Sequence, residues 1–129
     1  MSTDLSATFA VDSWEEEPFD EIKGTAKLTR AWVAKTYSGD IDGTSKTQWL
    51  MAYAEDGSAT FVGLERVVGS FGDRTGSLVL QHVGTFSDGA ATATLSVVPG
   101  GGSDEMATVA GDGDFRADPA GSLTLRLTS

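Results

Sequence analysis

Segments of alternating side chains, separated at regular intervals by glycine-rich turns, are the feature of this 129-residue sequence that most restricts its fold. Alternation with a period of two residues is typical of β-strands, and the Val, Thr and aromatic residues in these segments also favour strands. We count eight such segments, at Leu5–Val11, Ala26–Tyr37, Thr44–Ala54, Ala59–Phe71, Ser77–Phe86, Ala90–Val98, Thr108–Phe115 and Ser122–Leu127. The sequence therefore predicts an all-β protein.

Most connections between the segments are short and contain the residues that tight turns require. Glycine contributes 16 residues, and Gly, Asp and Pro supply the positive or preset φ angles of turns. Such turns lie at Ser38–Gly43, Glu55–Gly57, Gly72–Gly76, Ser87–Gly89, Pro99–Gly102 and Asp118–Gly121. Short connections make successive strands antiparallel neighbours, and meanders of this size commonly close so that no edge stays free. We predict that residues 1–129 form a single domain, an eight-stranded antiparallel meander barrel.

Two stretches depart from the alternating pattern. Ser13–Glu21 is acidic, carries Trp14 and Phe19, and is long enough to cross one end of the barrel as a connection or a lid. Because most loops only connect, we expect a crossover. Gly100–Ala107 is a glycine-rich loop whose end is compatible with one helical turn.

Composition excludes several classes of function. The sequence has no cysteine and one histidine, which excludes disulfides, thiolate nucleophiles and metal sites built from cysteines or paired histidines. With 19 acidic against 9 basic residues the net charge is −10, which disfavours nucleic acids and anionic membranes as partners. We expect neither a cofactor nor a metal ion.

The amino terminus and the apolar runs bear on location. Met1–Leu5 has neither the basic nor the apolar region of a signal peptide. The longest apolar run, Trp49–Ala54, is too short to cross a bilayer. We expect a soluble cytoplasmic protein.

Three motifs of catalytic or ligand-binding loops are incomplete. Gly101–Asp104 continues with Glu105 where the nucleophile elbow of hydrolases requires glycine, and the same glycine run lacks the lysine of a phosphate-binding loop. Asp40–Gly43 and Asp112–Asp114 lack the third oxygen ligand and the bidentate glutamate of a calcium loop. We interpret all of them as turns.

One pair of polar residues on the fourth and fifth segments is a candidate for chemistry. Both faces of Ala59–Phe71 are largely apolar, so Glu65 or Arg66 is enclosed there, and His82 lies among aliphatic residues of Ser77–Phe86. A carboxylate beside an imidazole is the pairing that proton transfer uses. Because the sequence shows no recognisable substrate site beside the pair, we favour the structural interpretation, a satisfied polar pair that fixes strand register.

The turn between these segments decides whether the two side chains meet. If Asp73–Arg74 is a two-residue turn, Glu65 lies directly opposite His82. If a type I turn with a bulge at Gly76 replaces it, the faces swap and His82 goes with Arg66. We favour the first register because it gives one small and apolar interior face, made of Phe61, Gly63, Glu65, Val67, Leu78, Leu80 and His82.

In that register Glu65 and His82 are the candidate acid and base. Further side chains suited to a ligand space inside the barrel, as walls or as orienting groups, are Arg30, Trp32, Trp49, Tyr53, Phe61, Gln81 and Phe115.

Five stretches carry a resemblance to a known family: Leu28–Ala31, Tyr37–Gly43, Phe61–Arg66, Gly72–Ser77 and Val79–His82. They are similar to an uncharacterised bacterial family, the domain of unknown function 3224, over nearly the whole chain from Phe9 to Leu127. That family is grouped by fold with allene oxide cyclases, which implies an eight-stranded antiparallel barrel of lipocalin-like shape. Gly100–Met106 departs from the family pattern, which resembles Ser-Gly-Thr-Gly followed by small residues. By analogy with allene oxide cyclases, which bind a hydrophobic fatty-acid epoxide inside the barrel, the resemblance implies an apolar ligand.

Two functions are compatible with these observations. In the first, the barrel binds an apolar small molecule in its lumen. If the protein is an enzyme, we expect a cofactor-free isomerase, cyclase or lyase in which Glu65 and His82 transfer the proton. In the second, the protein is a structural or interaction protein, a homo-oligomer with a packed barrel whose outer apolar face is covered by neighbouring copies. A ligand site and an oligomer are not exclusive.

Overall fold

Antiparallel pairing joins the alternating segments in sequence order. The computed structural model describes residues 2–118 and 120–128, which form β1 (Ser2–Asp20), β2 (Lys27–Gly39), β3 (Ile41–Tyr53), β4 (Ala59–Phe71), β5 (Arg74–Ser87), β6 (Ala90–Val97), β7 (Ser103–Asp104), β8 (Ala110–Asp118) and β9 (Ala120–Thr128). The sheet order is β4-β3-β2-β1-β9-β8-β6-β5, and β4 also pairs with β5. The eight-stranded antiparallel meander barrel predicted from the sequence is therefore confirmed, with the short strand β7 added beside β5.

Alternation along each strand sends every second side chain into the barrel, where these side chains fill the interior. The largest of the fully buried ones include Tyr37, Lys35, Phe71, Ile41, Leu78 and Leu80. Ionisable groups thus lie within the core itself. No helix in the part of the chain that the structure describes is long and apolar enough to cross a membrane.

Strand β1 is longer than the sequence pattern predicts. Ser13–Asp20 continues the strand and pairs with β2 after a bulge between Val11 and Ser13, so the expectation of a crossover connection is wrong. Pairing with β9 ends at Phe9. The second half of β1 is therefore an arm that pairs with β2 and not with β9. The acidic residues and the proline of this arm are typical of a loop. Its pairing with β2 overrides the low strand propensity of these residues.

The loop after β6 also differs from its prediction. Ser103–Asp104 forms β7 against Gly76 and Ser77 of β5, and the chain then makes hydrogen-bonded turns in place of a helical turn. The amide of Met106 donates to the carbonyl of Ser103 over 2.9 Å. The Met106 side chain is fully buried, so this loop contributes to the core.

The hairpin between β4 and β5 has a register that neither sequence alternative describes. Phe71 pairs with Arg74, so the two-residue loop is Gly72–Asp73, with Gly72 at φ +65°. Glycine at the first central position is what a type II′ hairpin turn requires. Glu65 consequently lies opposite Leu80 and not opposite His82. The observed register differs from the favoured one by two residues. Glu65 and His82 therefore still lie on the same face of the sheet, as the favoured register predicted, and the alternative with a bulge at Gly76 is wrong.

Candidate functional site

Glu65 is the centre of a polar cluster enclosed by the barrel. Its carboxylate is fully buried on the inner face of β4. Oε1 accepts a hydrogen bond from Nε2 of His82 over 2.9 Å, and Oε2 accepts from the hydroxyls of Tyr37 over 2.6 Å and Ser45 over 2.5 Å. Charge-assisted bonds of this kind are short and strong. These three protein donors therefore stabilise the buried carboxylate as an anion.

Lys35 supplies the opposite charge. Its Nζ lies 3.5 Å from Oε2 of Glu65, and its side chain is only 1% exposed. At that separation the contact is an ion pair and not a well-formed hydrogen bond. Among the described residues, the buried side-chain polar atoms without a hydrogen-bond partner are Nζ of Lys35 and Oγ1 of Thr47.

Three aromatic rings surround the Lys35 ammonium. Nζ lies 4.6 Å from the ring centroid of Phe9, 5.0 Å from Trp49 and 5.1 Å from Phe115. The negative faces of aromatic rings attract a cation, and more so where water is excluded. The rings thus replace part of the hydration that the ammonium loses.

The two hydrogen-bond partners of His82 fix the tautomer of its imidazole. Its Nδ1 lies 3.1 Å from Nε1 of Trp49, and an indole N–H only donates. Nδ1 therefore accepts, the proton sits on Nε2, and that proton is donated to Glu65.

The protonation states of the cluster follow from burial and these contacts. Burial raises the pKa of Glu65, but the charge of Lys35 and the hydrogen bond from His82 outweigh it and lower that pKa to about 2. Burial lowers the pKa of His82 and also that of Lys35, against the opposing effect of Glu65. Burial, with Glu65 as a second cause, raises the pKa of Tyr37 above its ordinary value.

An aromatic wall separates the cluster from a groove of about 900 Å³. Phe61 lies 5.0 Å from Trp49, and Phe115 lies 5.4 Å from His82, measured between ring centroids. Phe61 and Phe115 also line the groove, together with the small residues Gly84 and Ala93, whereas the charged members of the cluster do not. Reaching Lys35 from the groove thus requires movement of these rings.

The β1 arm contacts β2 and β3 near Trp49. Oε2 of Glu16 accepts from the hydroxyls of Thr29 over 2.6 Å and Tyr53 over 2.7 Å, and Oε1 accepts from Nε1 of Trp14 over 3.0 Å. The Trp14 ring lies 5.5 Å from that of Trp49. Burial and the Glu16 hydrogen bond raise the pKa of Tyr53 to about 12.

The candidate residues named from the sequence lie in three places. Glu65 and His82 meet, and Trp49, Phe61 and Phe115 lie around them in the interior. Tyr53 is at the β1 arm. The others point away from the interior, because their positions on β2 and β5 have the outward parity. Arg30 and Gln81 are exposed, and Trp32 is half-buried with the guanidinium of Arg30 5.7 Å from its ring.

Sequence reasoning missed Lys35, Tyr37 and Ser45. The signal was present for the first two, since both have the parity of Val33, and an inward Val33 carries them inward too. Charged residues are rarely buried in a protein core, so the inward position of Lys35 on β2 was not interpreted as a buried lysine.

The acidic motifs compared with calcium loops have structural partners. Oδ2 of Asp40 accepts from the amide of Ser6 over 2.9 Å, and Oδ1 of Asp114 accepts from Thr124 over 3.1 Å. Within residues 2–118 and 120–128 no group of three or more acidic or histidine side chains is arranged to hold a metal ion.

These observations define a class of protein: a small closed β-barrel with an ion pair and aromatic rings in its interior. The chain belongs to the family described as "Protein of unknown function (DUF3224)", whose model matches residues 5–128. It is similar to the crystal structure, at 1.84 Å resolution, of a DUF3224 protein with unknown function from Shewanella oneidensis MR-1. The identity is 28% and the TM-score 0.79, over 99% of this chain and 98% of that chain. No curated protein matches the chain. The allene oxide cyclase part of the sequence resemblance stays a prediction.

Proposed function

We propose that this protein is a small-molecule-binding barrel whose ligand directs a polar oxygen to Lys35 and lays an apolar body against Phe61 and Phe115. The observation that carries the proposal is the buried Lys35 ammonium without a hydrogen-bond partner. Buried polar groups are nearly always paired, and an unpaired one costs about 1–3 kcal/mol, more when charged. An oxygen of a ligand would provide the missing acceptor.

The route for such a ligand is the groove beside the aromatic wall. Phe61 and Phe115 border both the groove and the rings around the cluster. A volume of about 900 Å³ is in the range of small-molecule sites, which are mostly apolar with a few polar groups. Displacement of Phe115 brings a ligand to Lys35, since that ring lies 5.1 Å from Nζ.

The geometry favours binding over proton transfer. Both nitrogens of His82 and both oxygens of Glu65 are engaged by protein groups. The acid and base roles predicted from the sequence require Trp49 to leave Nδ1 of His82 first. Without that movement, Glu65 keeps Lys35 charged, and His82 acts only through its hydrogen bond to Glu65.

The test uses 1-naphthoate, an aromatic carboxylate, as the probe. We expect it to bind in calorimetry and to shift the NMR signals of the Trp49 indole and the His82 ring. Binding should be lost in Lys35→Met and kept in Lys46→Met, since Lys46 is exposed on the outer face of β3. Because Lys35→Met leaves Glu65 unpaired, the NMR shifts in the unaltered protein are the deciding measurement. Absence of those shifts at saturating probe contradicts the proposal.

A second function, a homo-oligomer, is favoured by the outer face of β3–β5. Leu50 pairs with Val62 and Val62 with Val83, and these side chains are 47%, 48% and 53% exposed. Beside them Lys46 pairs directly with Arg66, a like-charge pair that favours an acidic partner. In a chain of net charge −10, a second copy supplies such carboxylates.

Sedimentation velocity tests this second function. We expect a dimer that Val62→Lys converts to a monomer, while Thr60→Lys, on the same face of the same strand, leaves it intact. A monomer at high protein concentration in the unaltered protein contradicts it.

A further inference from the structure

We propose that Lys35 binds its ligand covalently, as an imine with an aldehyde or ketone. This inference rests on the proposed function and narrows the ligand to a carbonyl compound with an apolar body. Arginine could form the ion pair with Glu65 as well as lysine does. An imine, in contrast, requires the primary amine of lysine.

The environment of Lys35 provides what imine formation needs. Its Nζ makes no hydrogen bond to another described residue, so no protein acceptor has to be displaced. Oε2 of Glu65, 3.5 Å away, is the nearest carboxylate oxygen, and it takes a proton from the ammonium once the hydroxyl of Tyr37 or Ser45 turns away from it. The Thr47 hydroxyl, also without a partner, lies on β3 at the position paired with Glu65 and can donate to the carbonyl oxygen. Buried lysines serve in Schiff-base chemistry for the same reason, a readily shifted pKa.

The step balances with these groups alone. Glu65 accepts one proton from Nζ, and the amine lone pair attacks the carbonyl carbon to form a C–N bond. The oxygen of the resulting carbinolamine takes protons, including the one held by Glu65, and leaves as water while the C=N bond forms. The net reaction joins one ammonium and one carbonyl compound to give one protonated imine and one water, with no oxidant or reductant.

The protonated imine has the same charge as the free lysine and can make the same electrostatic contacts in the cluster. A protonated imine keeps the positive charge beside Glu65, so no buried carboxylate is left without a counter-ion. The charge also stays among the rings of Phe9, Trp49 and Phe115, which attract it. Water is excluded from the site, and hydrolysis of the imine is slowed accordingly.

The experiment is reductive trapping of the full chain with 1-naphthaldehyde and cyanoborohydride, followed by peptide mass mapping. The chain has four lysines to compare, Lys23, Lys27, Lys35 and Lys46. We expect the naphthylmethyl adduct on Lys35 to exceed the adducts on the three exposed lysines. It should be lost in Lys35→Arg, which keeps the charge but forms no imine, and kept in Lys46→Arg.

Comparison with 1-naphthoate separates this inference from the proposed function. Shifts at Trp49 and His82 on adding naphthoate, with aldehyde adducts only on the other lysines, overturn the covalent step and leave noncovalent binding standing. No naphthoate shifts and no Lys35 adduct overturn both. The site of modification in the unaltered protein decides, so the result does not depend on the folding of any variant.

Discussion

The indole N–H of Trp49 donates to Nδ1 of His82 over 3.1 Å, and this one contact fixes the tautomer of the histidine that faces Glu65. A protonated His82 would point a second N–H at a group that can only donate. This hydrogen bond therefore opposes protonation of His82, as burial also does. With His82 neutral, the negative charge of Glu65 is balanced by the positive charge of Lys35 alone.

Trp49→Phe should raise the pKa of His82. The substitution frees Nδ1 to take a proton while Nε2 still donates to Glu65, which favours the charged ring. Following the imidazole by NMR against pH checks this, and the signal is unique because the chain has one histidine. Trp32→Phe, outside the barrel wall, is the control and should change nothing. An unchanged pKa in Trp49→Phe would show that the indole bond has no effect on the titration.

Stability should fall as the pH drops below the ordinary histidine pKa of 6.5. The folded-state pKa of His82 lies below that value because of burial, so the unfolded chain binds the proton first. The contribution of His82 to the unfolding free energy is then fully present above pH 6.5, and it declines by up to about 1.4 kcal/mol per pH unit as the pH falls toward the folded-state pKa. Glu65, with a pKa of about 2 against an ordinary 4.5, adds a further loss at lower pH.

Urea unfolding at a series of pH values measures this decline. His82→Asn removes the titrating group and should flatten the profile between about pH 6.5 and about pH 5.5, before the carboxylates titrate. Equal slopes in the two proteins would assign the decline to other groups.

Glu65→Gln should destabilise the protein by about 3–5 kcal/mol, because it leaves the Lys35 ammonium buried without its counter-ion. Removing both charges with Lys35→Met and Glu65→Gln together should recover much of this loss. Glu55→Gln, in the exposed turn after β3, is the matched control and should stay within about 0.5 kcal/mol of the unaltered protein. Urea midpoints provide the comparison, and a double variant as unstable as Glu65→Gln alone would contradict the ion-pair explanation.

Gly63→Ala should destabilise the barrel by about 1–3 kcal/mol through overpacking. A methyl group at this position on β4 would overlap the carbonyl oxygen of Gln48 and the indole of Trp49, and a backbone oxygen cannot move away. Leu64→Ala, at the neighbouring exposed position, measures the general sensitivity of the strand and should cost less. Thermal unfolding monitored by circular dichroism distinguishes them.

Glu16→Gln should lower the pKa of Tyr53 from about 12 toward its ordinary value of 10, since the carboxylate beside the hydroxyl opposes its ionisation. The Tyr53 ring carbon next to the hydroxyl, followed by NMR against pH, reports this directly. Glu17→Gln, exposed on the same arm, should leave the titration in place. If both variants behave alike, the Glu16 carboxylate is not the cause of the raised pKa of Tyr53.

Most of the strand pattern was predictable because alternation and turn chemistry are local. The stretch before β2 was not, because Ser13–Asp20 is a strand only through its pairing with β2. The turn of the β4–β5 hairpin was also not predictable from local sequence. Two overlapping dipeptides, Gly72–Asp73 and Asp73–Arg74, are both suited to a two-residue turn, and the structure uses the first, with Gly72 at φ +65°. The choice moves the partner of Glu65 by two residues without changing its face.

By itself, the sequence determined the barrel, its strand order and the inward face that Glu65 and His82 share, since parity along a strand depends only on position. Only the tertiary structure decided that Lys35 and Tyr37 of β2 reach a carboxylate on β4, across the intervening β3, and that Phe115 of β8 covers the ammonium. The physical reason is closure: contacts across the interior join strands that are not neighbours. Their distances depend on the curvature and radius of the closed sheet, which no local pattern encodes.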